Sequence, residues 1–367
     1  MFEIIFTTSV LIYASTLFFI IVGLKKRFFV NDKNQPFVSI IVAARNEEKT
    51  IINCLASISK INYDPAKYEV IIVNDESSDN TAIVTGEFIS GRSNFRIIDS
   101  AQESNIPKGK ARALDTGINA AKGEILFITD ADCAVPPNWI NGIVKHYSVD
   151  TSMVCGFTEI SHQKTLDAAV GLDLVYLLGV ASGMVNHKLP VSCIGNNFSF
   201  RKSSYYESGG YASLGCSVNE DFYLLQSFRK KLTGKIKFPV ENDSVVSTLP
   251  PAKLTESVNQ KRRWASTMRD VPVYGLLVSF IAFWANFMCL FSGFYISSVS
   301  VYLLFLKFSL DYFYLNYLSK ALFPGREFRG FLLFELYFLL YLIILPLTLL
   351  RNSRLEWKGR RVKGTIS

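Results

Sequence analysis

The sequence predicts an α/β fold, in which helices flank a mostly parallel sheet, with membrane-length apolar helices at both ends of the chain. Three observations support this. Short apolar strand patterns alternate with helical patterns between residues 36 and 265, long uncharged runs flank that region, and 49% of the 367 residues are hydrophobic. A buried parallel sheet needs continuous apolar strands, and a bilayer needs long uncharged helices.

The first apolar run is Ile4 to Leu24, which contains no charged residue. As a helix it would be about 31 Å long, close to the hydrocarbon thickness of a bilayer. Glu3 precedes it and the basic stretch Lys25 to Arg27 follows it, the reverse of the charge arrangement of a signal peptide. Residues 1–27 are therefore predicted to be an uncleaved anchor whose C-terminal end lies in the cytosol.

The next region, residues 36–265, is predicted to be a globular α/β domain on the cytosolic side. In such a sheet the ligand site lies beyond the carboxyl ends of the strands. The predicted strands are Phe37–Ala44, Tyr68–Val73, Phe95–Ile98 and Ile125–Ile128, and the predicted helices are Thr50–Ile58, Thr81–Ile89 and Lys110–Ala121.

One apolar segment inside that domain, Leu174 to Asn186, has only 13 residues. It is too short to span a bilayer. We expect a buried helix, and the alternative is a helix lying at the membrane interface.

Residues 271–350 are predicted to be a membrane region of two or three helices. Val271 to Leu306 carries no charge over 36 residues, too long for one span, and Ser292 and Gly293 near its middle predict a break. A further apolar run is Phe331 to Leu350. Three spans would place the basic tail, residues 351–367, outside the cytosol, whereas one helix lying flat would return it there; the sequence leaves both topologies open.

The net charge of +8 does not indicate nucleic-acid binding, because part of the excess sits beside the apolar runs and no aromatic–basic stripe occurs elsewhere. That placement indicates an anionic membrane surface. The six cysteines and three histidines are scattered, without metal-ligand spacing, which argues against zinc chemistry.

Acidic residues follow two of the predicted strands. Asp75 lies two residues after the end of the Tyr68–Val73 strand, with Asn74 between them. Asp79 is a candidate cap for the next helix. Asp130 and Asp132 follow the Ile125–Ile128 strand, and two carboxylates at a strand end suit Mg²⁺ or Mn²⁺. Alone, an Asp-x-Asp pair is a weak signal, since it is also common in solvated loops.

Two further clusters lie downstream. Glu220 and Asp221 precede an apolar helical segment, where acids either favour the helix dipole or supply a general base. The stretch Gln260 to Trp264 lies just before the membrane region, where its cations and Trp264 either anchor the surface or contact an anionic ligand.

In their order and context these motifs resemble the family-2 glycosyltransferases, which have the Rossmann-like A-type fold. The resemblance covers about Phe37 to Trp264. It is carried by Val38–Glu48, Lys108–Leu114, Gly195–Arg201, the acidic sites and a Gln-x-x-Arg-Trp motif.

The resemblance implies a role for each matching position. Asp221 is the catalytic base, and Asp132 coordinates Mg²⁺ or Mn²⁺. Residues implied at the acceptor side are Asn197, Glu220 and Trp264. Residues implied at the nucleotide-sugar are Ala44, Glu47, Asp75, Lys110, Asp130, Gln260, Arg263 and Trp264.

The expected protein is an inverting hexosyltransferase integral to the cell membrane, with its catalytic domain in the cytosol. It would move a sugar from a nucleotide-diphosphate sugar, UDP-linked by resemblance, to a lipid or lipid-linked acceptor. One carboxylate base without a second nucleophile implies inversion. The alternatives are a processive polysaccharide synthase, which the Gln-x-x-Arg-Trp motif also fits, and a non-catalytic membrane protein that binds sugar.

Overall fold

The computed structural model describes residues 1–28, 30–31, 35–101, 105–106, 109–161, 165–214, 219–251, 254–349, 355–357 and 360–362. The chain forms two compact units, each made of three separate stretches. The α/β unit comprises Arg27–Glu159, Ser192–Leu249 and Arg354–Ser367, and the helical unit comprises Met1–Lys26, Ile160–Val191 and Pro250–Ser353.

In the α/β unit, strands and helices alternate through the first half. Its strands are β1 (Val38–Ala44), β2 (Tyr68–Asn74), β3 (Phe95–Asp99), β4 (Ile125–Asp130), β5 (Cys133–Ala134), β6 (Thr151–Cys155), β7 (Thr158–Ile160), β8 (Phe198–Arg201), β9 (Lys235–Lys237), β10 (Val246–Thr248), β11 (Leu355–Trp357) and β12 (Arg360–Val362). Its helices are α2 (Ile51–Ile58), α3 (Thr81–Ile89), α4 (Lys110–Ala120), α5 (Trp139–Val144), α7 (Lys202–Glu207) and α8 (Glu220–Lys231).

The main sheet has seven strands in the order β3-β2-β1-β4-β8-β6-β9. Strands β3, β2, β1 and β4 are parallel, and β8 runs antiparallel to both β4 and β6. The chain builds β1, β2 and β3 outward and then returns to the other side of β1 as β4. This reversal of strand order opens a crevice at the carboxyl ends of β1 and β4, where sheets of this kind bind ligands.

The parallel strands form because they can be buried on both faces. Six of the seven residues of β1 and of β2 are buried, and their side chains are mostly Val and Ile. The predicted strands and helices of this half agree with the structure to within two residues at each end. The N-cap of α3 is Asn80, not Asp79; Asp79 lies one residue earlier and accepts from the backbone N–H of Thr81.

The helical unit contains α1 (Phe2–Leu24), α6 (Thr165–Asn186), α9 (Leu254–Ala265), α10 (Val273–Phe291), α11 (Ser298–Leu322) and α12 (Phe331–Leu349). Four helices in the described part of the chain are long and apolar enough to cross a membrane: Phe2–Leu24, Asp167–Asn186, Val273–Phe294 and Ser298–Leu322. The predicted break at Ser292 and Gly293 is confirmed, because a short 3₁₀ turn, Ser292–Phe294, separates α10 from α11.

The predicted length of the internal apolar segment was wrong. Helix α6 has 22 residues, not 13, so it is long enough to span a bilayer. The predicted segment begins just after Asp173, because a charged residue indicates a boundary of an apolar run. In the structure Asp173 lies in the middle of α6, its side chain is buried, and it forms an ion pair with Lys261 of α9. The expectation that the segment is buried is confirmed, since 83% of the residues in its most apolar 18-residue stretch are buried.

Helix α11 likewise extends past the predicted run and includes three charged residues, of which Lys307 and Asp311 are buried. Lys307 Nζ lies 2.6 Å from Asp311 Oδ2 one turn away and 2.9 Å from Glu335 Oε2 of α12. All three side chains are 2% exposed or less. We call Lys307, Asp311 and Glu335 the closed cluster.

The two units divide the chain differently from the predicted domains: residues 160–191 and 250–265 group with the apolar helices, and residues 354–367 group with the α/β unit. Of the predicted basic tail, Arg360 and Arg361 lie in β12, which pairs with β11. Arg351, Arg354, Lys358 and Lys363 lie outside the described residues.

Candidate active site

Three strand ends meet at the predicted edge of the sheet. In the register of β1, Ala44 lies opposite Asn74 of β2, and Ala43 lies opposite Asp130 of β4. Asp75, which follows Asn74, and Asp130 therefore flank the end of β1 on its two sides. Adjacent strands are about 4.8 Å apart, so residues two strands apart can border the same small ligand.

Lys110 forms ion pairs with both the end of β4 and the start of α8. Its Nζ lies 2.6 Å from Asp130 Oδ1 and 3.0 Å from Glu220 Oε1, and it donates to the carbonyl oxygen of Gly195 at 3.3 Å. Lys110 is the first residue of α4, directly after Gly109, whose φ of 140° favours glycine. Burial opposes the charge of Lys110, but Asp130 and Glu220 outweigh it and hold its pKa above the usual range.

Asp221 joins this group from the first turn of α8. Asn219, just before the helix, has a φ of 54°, a left-handed conformation that Asn tolerates better than most residues. A Cβ at Gly195 would lie 3.1 Å from Asp221 Oδ2 and 3.2 Å from Lys110 Nζ, so both groups converge on one point. We call Lys110, Asp130, Glu220 and Asp221 the open cluster.

The Asp221 carboxyl group is suited to accept a proton near neutral pH. Burial and the neighbouring Glu220 raise its pKa to about 7, although Lys110 opposes this shift. A buried carboxylate with a pKa near the working pH has the properties of a general base.

Asp130 and Asp132 fit a divalent cation. Burial raises the pKa of Asp130 to about 6, Lys110 opposes the shift, and the nearby Asp132 adds to it. The open cluster plus Asp132 brings four carboxylates to one lysine, and such an excess of negative charge repels a diphosphate unless a cation offsets it. No group of three or more protein ligands occurs among the described residues. The two carboxylates would need water and phosphate oxygens to complete the shell, as Mg²⁺ usually does.

The loop after β2 is held by two arginines that the sequence analysis did not assign. Arg45 Nη1 donates to the carbonyl oxygens of Asp75 and Glu76 at 2.6 and 2.7 Å, and Arg112 Nη2 lies 3.3 Å from Glu76 Oε1. Glu76 has a φ of 54°, which is strained for a residue of this type. Asp75 itself is 1% exposed and accepts from Ser100 Oγ at 3.4 Å.

Three buried cysteines contact the acidic residues of the site. The Sγ atom of Cys54 donates to the Asp130 carbonyl oxygen at 3.5 Å, that of Cys133 to Asp132 Oδ1 at 3.4 Å, and that of Cys193 to the Asp221 carbonyl oxygen at 3.6 Å. Thiols are weak donors, so these contacts position the acids more than they stabilise the fold. Sequence spacing gave no signal for the contacts of Cys54 and Cys193, because their partners are 76 and 28 residues away.

The other predicted residues of the α/β unit have structural contacts. Ala44 is the buried last residue of β1. The Glu47 carboxylate accepts from Thr50 Oγ1 at 2.6 Å, and its backbone N–H donates to Thr81 Oγ1 at 2.7 Å. Their predicted place beside the nucleotide stays a prediction. Lys108 of the second motif lies outside the described residues.

Asn197 is fully buried just before β8, and three hydrogen bonds hold its side chain. Its Oδ1 accepts from Trp139 Nε1 at 2.9 Å, and its Nδ2 donates to the carbonyl oxygens of Phe157 and Ser244 at 2.6 and 2.8 Å. Contact with an acceptor would cost one of these bonds, so the contacts favour positioning of the strand; the acceptor-side role of Asn197 stays a prediction.

Gln260, Arg263 and Trp264 lie on α9, in the helical unit, and all three side chains are partly buried. Their predicted place around the donor and the acceptor stays a prediction.

Comparison with known proteins agrees with this geometry. Residues 39–221 match the model of glycosyl transferase family 2. A β-monoglucosyldiacylglycerol synthase from Trichormus variabilis is 34% identical over 30% of this chain and 23% of that protein. A poly-β-1,6-N-acetyl-D-glucosamine synthase from Staphylococcus aureus is 27% identical over 68% of this chain and 58% of that protein. In both cases the match covers less than two thirds of the relative's own length.

Among solved structures, the mannosyltransferase PcManGT from Pyrobaculum calidifontis, in complex with GDP-Man and Mn²⁺, has a TM-score of 0.62 at 18% identity. The likeness covers 96% of this chain and all of that one, and at this identity it shows a shared fold. The strand order, the acidic strand ends and the family match lead to one conclusion: residues 39–221 of this chain are a glycosyl transferase family 2 domain.

Proposed function

We propose that the chain is an inverting glycosyltransferase, which moves a sugar from a nucleotide-diphosphate donor to a lipid or lipid-linked acceptor at a membrane. The observation that carries the proposal is the convergence of Asp221, Glu220 and Asp130 on Lys110, at the carboxyl ends of β1 and β4. This arrangement joins a base with a raised pKa to an edge of the sheet that suits a nucleotide.

In the proposed reaction, Asp221 removes the proton from an acceptor hydroxyl group, and the hydroxyl oxygen attacks the anomeric carbon as the bond to the diphosphate breaks. The single displacement inverts that carbon. Lys110 keeps Asp130 and Glu220 in place beside the base. Asp75 would contact the base or ribose of the donor, and its position two strands from Asp130 supports this role.

A divalent cation held by Asp132 and Asp130 would offset the charge that develops on the leaving diphosphate. Mn²⁺ is present in PcManGT, which has the same fold, and this supports Mg²⁺ or Mn²⁺ here. That neighbour holds GDP-Man, whereas the motif resemblance favours a UDP-linked sugar, so the test below offers donors of both kinds.

The apolar helices favour an acceptor that is itself in a membrane. Four described helices have the length and composition of spans, and Lys25 to Arg27 after the first one favour a cytosolic α/β unit. A relative named as a glycolipid synthase supports a lipid acceptor. A freely soluble acceptor would not explain the apolar flanks.

A processive polysaccharide synthase is the second candidate. It is favoured by the match to a poly-N-acetylglucosamine synthase, which covers 68% of this chain. The modest number of candidate spans in the described part of the chain argues for single addition, because a polymer needs a path across the bilayer. A non-catalytic sugar-binding protein is disfavoured, since the acids that the chemistry needs are all present.

The test offers radiolabelled UDP- and GDP-linked sugars, one at a time, to membranes that contain the protein. We expect one donor to label a product that extracts into organic solvent and carries one added sugar, with labelling lost when EDTA is added. A ladder of water-soluble polymers would instead favour the synthase. Labelling in neither form, and no donor hydrolysis, would contradict a catalytic function.

A further inference from the structure

The most buried charged residue of α9 is Lys261, which is 4% exposed. Its Nζ forms an ion pair with Asp173 Oδ2 of α6, and Asp173 is 1% exposed. A lysine in the middle of the Gln260 to Trp264 stretch would be expected at a membrane surface, with its head in water. Here it points into the helical unit, so it is not a surface anchor.

Aromatic rings surround the same ammonium group. Lys261 Nζ lies 5.2 Å from the ring centre of Trp264, three residues along α9 on the same face. It also lies 4.6 Å and 6.0 Å from the ring centres of Tyr341 and Tyr337 on α12. One cation thus joins α9, α6 and α12, and it stands over the indole ring of Trp264.

Stability alone is a poor explanation for this arrangement. A buried ion pair costs desolvation free energy that its attraction barely repays, and apolar residues of similar size often serve as well. What an apolar residue lacks is a charge that holds an aromatic ring in one orientation, as a desolvated cation–π contact does. The pair therefore fixes the orientation of α9 and of the Trp264 ring, and a side chain that binds a ligand needs a fixed orientation.

We propose that Lys261 and Asp173 are a positioning pair, which docks α9 and fixes the indole ring of Trp264, and with it the orientation of Gln260 and Arg263. This inference rests on the proposed function and on the role predicted for Gln260, Arg263 and Trp264 at the nucleotide-sugar. Neither Lys261 nor Asp173 is assigned a contact with substrate; they act through the helix that carries the motif.

The experiment uses the full chain in detergent or nanodiscs and compares four proteins: parent, Lys261→Arg, the double variant Lys261→Met/Asp173→Leu, and Asn259→Ala as a control on the exposed face of α9. The double variant removes both charges together, so no lone charge is left buried and folding is retained. Thermal unfolding checks this.

Two readouts follow. Kinetically, we expect the double variant to lose about tenfold in kcat/KM, mainly through a higher KM, as loss of one desolvated cation–π contact predicts. Lys261→Arg should recover most of the loss, because Arg keeps both the charge and the ring contact. Structurally, trypsin should cut after Arg262 and Arg263 faster in the double variant than in the parent, at equal thermal stability.

Parental kcat/KM together with a parental rate of tryptic cleavage in the double variant would overturn the proposal. If Lys261→Arg loses as much kcat/KM as the double variant, the proposal is also contradicted, because the charge at this position would then not be what positions α9 and Trp264. If the parent transfers no sugar at all, the proposed function fails, and the tryptic cleavage still decides whether the pair docks α9.

Discussion

The two units of this chain each hold one lysine between two carboxylates, and exposure distinguishes them. In the open cluster the side chains of Lys110, Asp130 and Glu220 are 14%, 32% and 8% exposed. In the closed cluster those of Lys307, Asp311 and Glu335 are 0%, 0% and 2% exposed. The same three charges can thus form a site that admits a ligand or a fixed tie between helices.

Neighbouring groups reinforce the difference. The open cluster also contains Asp221 and has Asp132 beside it, so its negative charge exceeds what one lysine offsets. In the closed cluster, the Tyr13 hydroxyl group donates to Asp311 and lies 2.7 Å from that of Tyr176. Surplus charge at an open edge attracts a cation, whereas hydroxyl donors around a closed pair reduce its desolvation cost.

The largest effect is expected from Asp221→Asn in the open cluster. Loss of the general base should lower kcat by about 10²–10⁴-fold, while donor binding survives because the amide keeps the shape of the carboxylate. Sugar transfer and donor binding are measured on the same preparation. Glu335→Gln is the matched carboxylate-to-amide control in the closed cluster, and it should transfer sugar at the parental rate. Near-normal turnover of Asp221→Asn would remove this residue from the mechanism.

The next largest effect is expected from Lys307→Met, and it concerns folding. Two buried carboxylates would lose their cation, at a cost of about 3–5 kcal/mol in the free energy of unfolding. Lys110→Met should cost less stability, because Asp130 can turn to water. Equilibrium unfolding in one detergent compares the two variants, with Glu335→Gln as control, since it leaves a neutral Lys307–Asp311 pair. Equal losses for Lys110→Met and Lys307→Met would contradict the distinction between open and closed.

A smaller effect is expected from Asp132→Ala. Removing one charged ligand should weaken the response to Mn²⁺ and the affinity for donor by about ten- to a hundredfold. Titrations of metal and donor measure both constants, and Asp150→Ala, at a partly exposed ion pair with Lys235, is the control. If Asp132→Ala titrates like the parent, the metal does not bind here.

The smallest effect is expected from Glu220→Gln, on the pH profile. The pKa of Asp221 is raised to about 7, with Glu220 among the causes, so the base form is lost as the pH falls below 7. Without the Glu220 charge, the acidic limb of kcat/KM should move to lower pH. At pH 7 the deprotonated fraction of Asp221 can rise only about twofold, from about half to nearly all. The quantity to measure is therefore the pH at the midpoint of the acidic limb, not the rate at pH 7. An unmoved limb would mean that another group sets it.

The open cluster was largely predictable, and the closed one was not. Strand ends are local signals: an apolar run such as Ile125 to Ile128 followed by Asp130 places an acid at a sheet edge, whatever the rest of the chain does. In the sequence, Lys307 and Asp311 indicate the end of an apolar run, because a charged residue is assumed to end a membrane helix unless its ion-pair partner is known. Their partner Glu335 is on another helix.

The same limit explains the misjudged length of α6. Asp173 looks like a boundary until Lys261, 88 residues away, is placed beside it. The contacts of Arg45, Arg112, Cys54 and Cys193 were missed for this reason too, since each joins segments that are far apart in the sequence. Sequence patterns reveal period and order, whereas charge pairing is decided by tertiary structure.

The interrupted path of the chain through the α/β unit has a practical consequence. The polypeptide leaves that unit after Glu159 and re-enters it at Ser192, with α6 in between. Trimming the anchor and the C-terminal helices would therefore yield a protein that still carries a 22-residue apolar helix stripped of its neighbours. A water-soluble version therefore requires excision of residues 160–191, with a short linker in their place, in addition to truncation at the two ends.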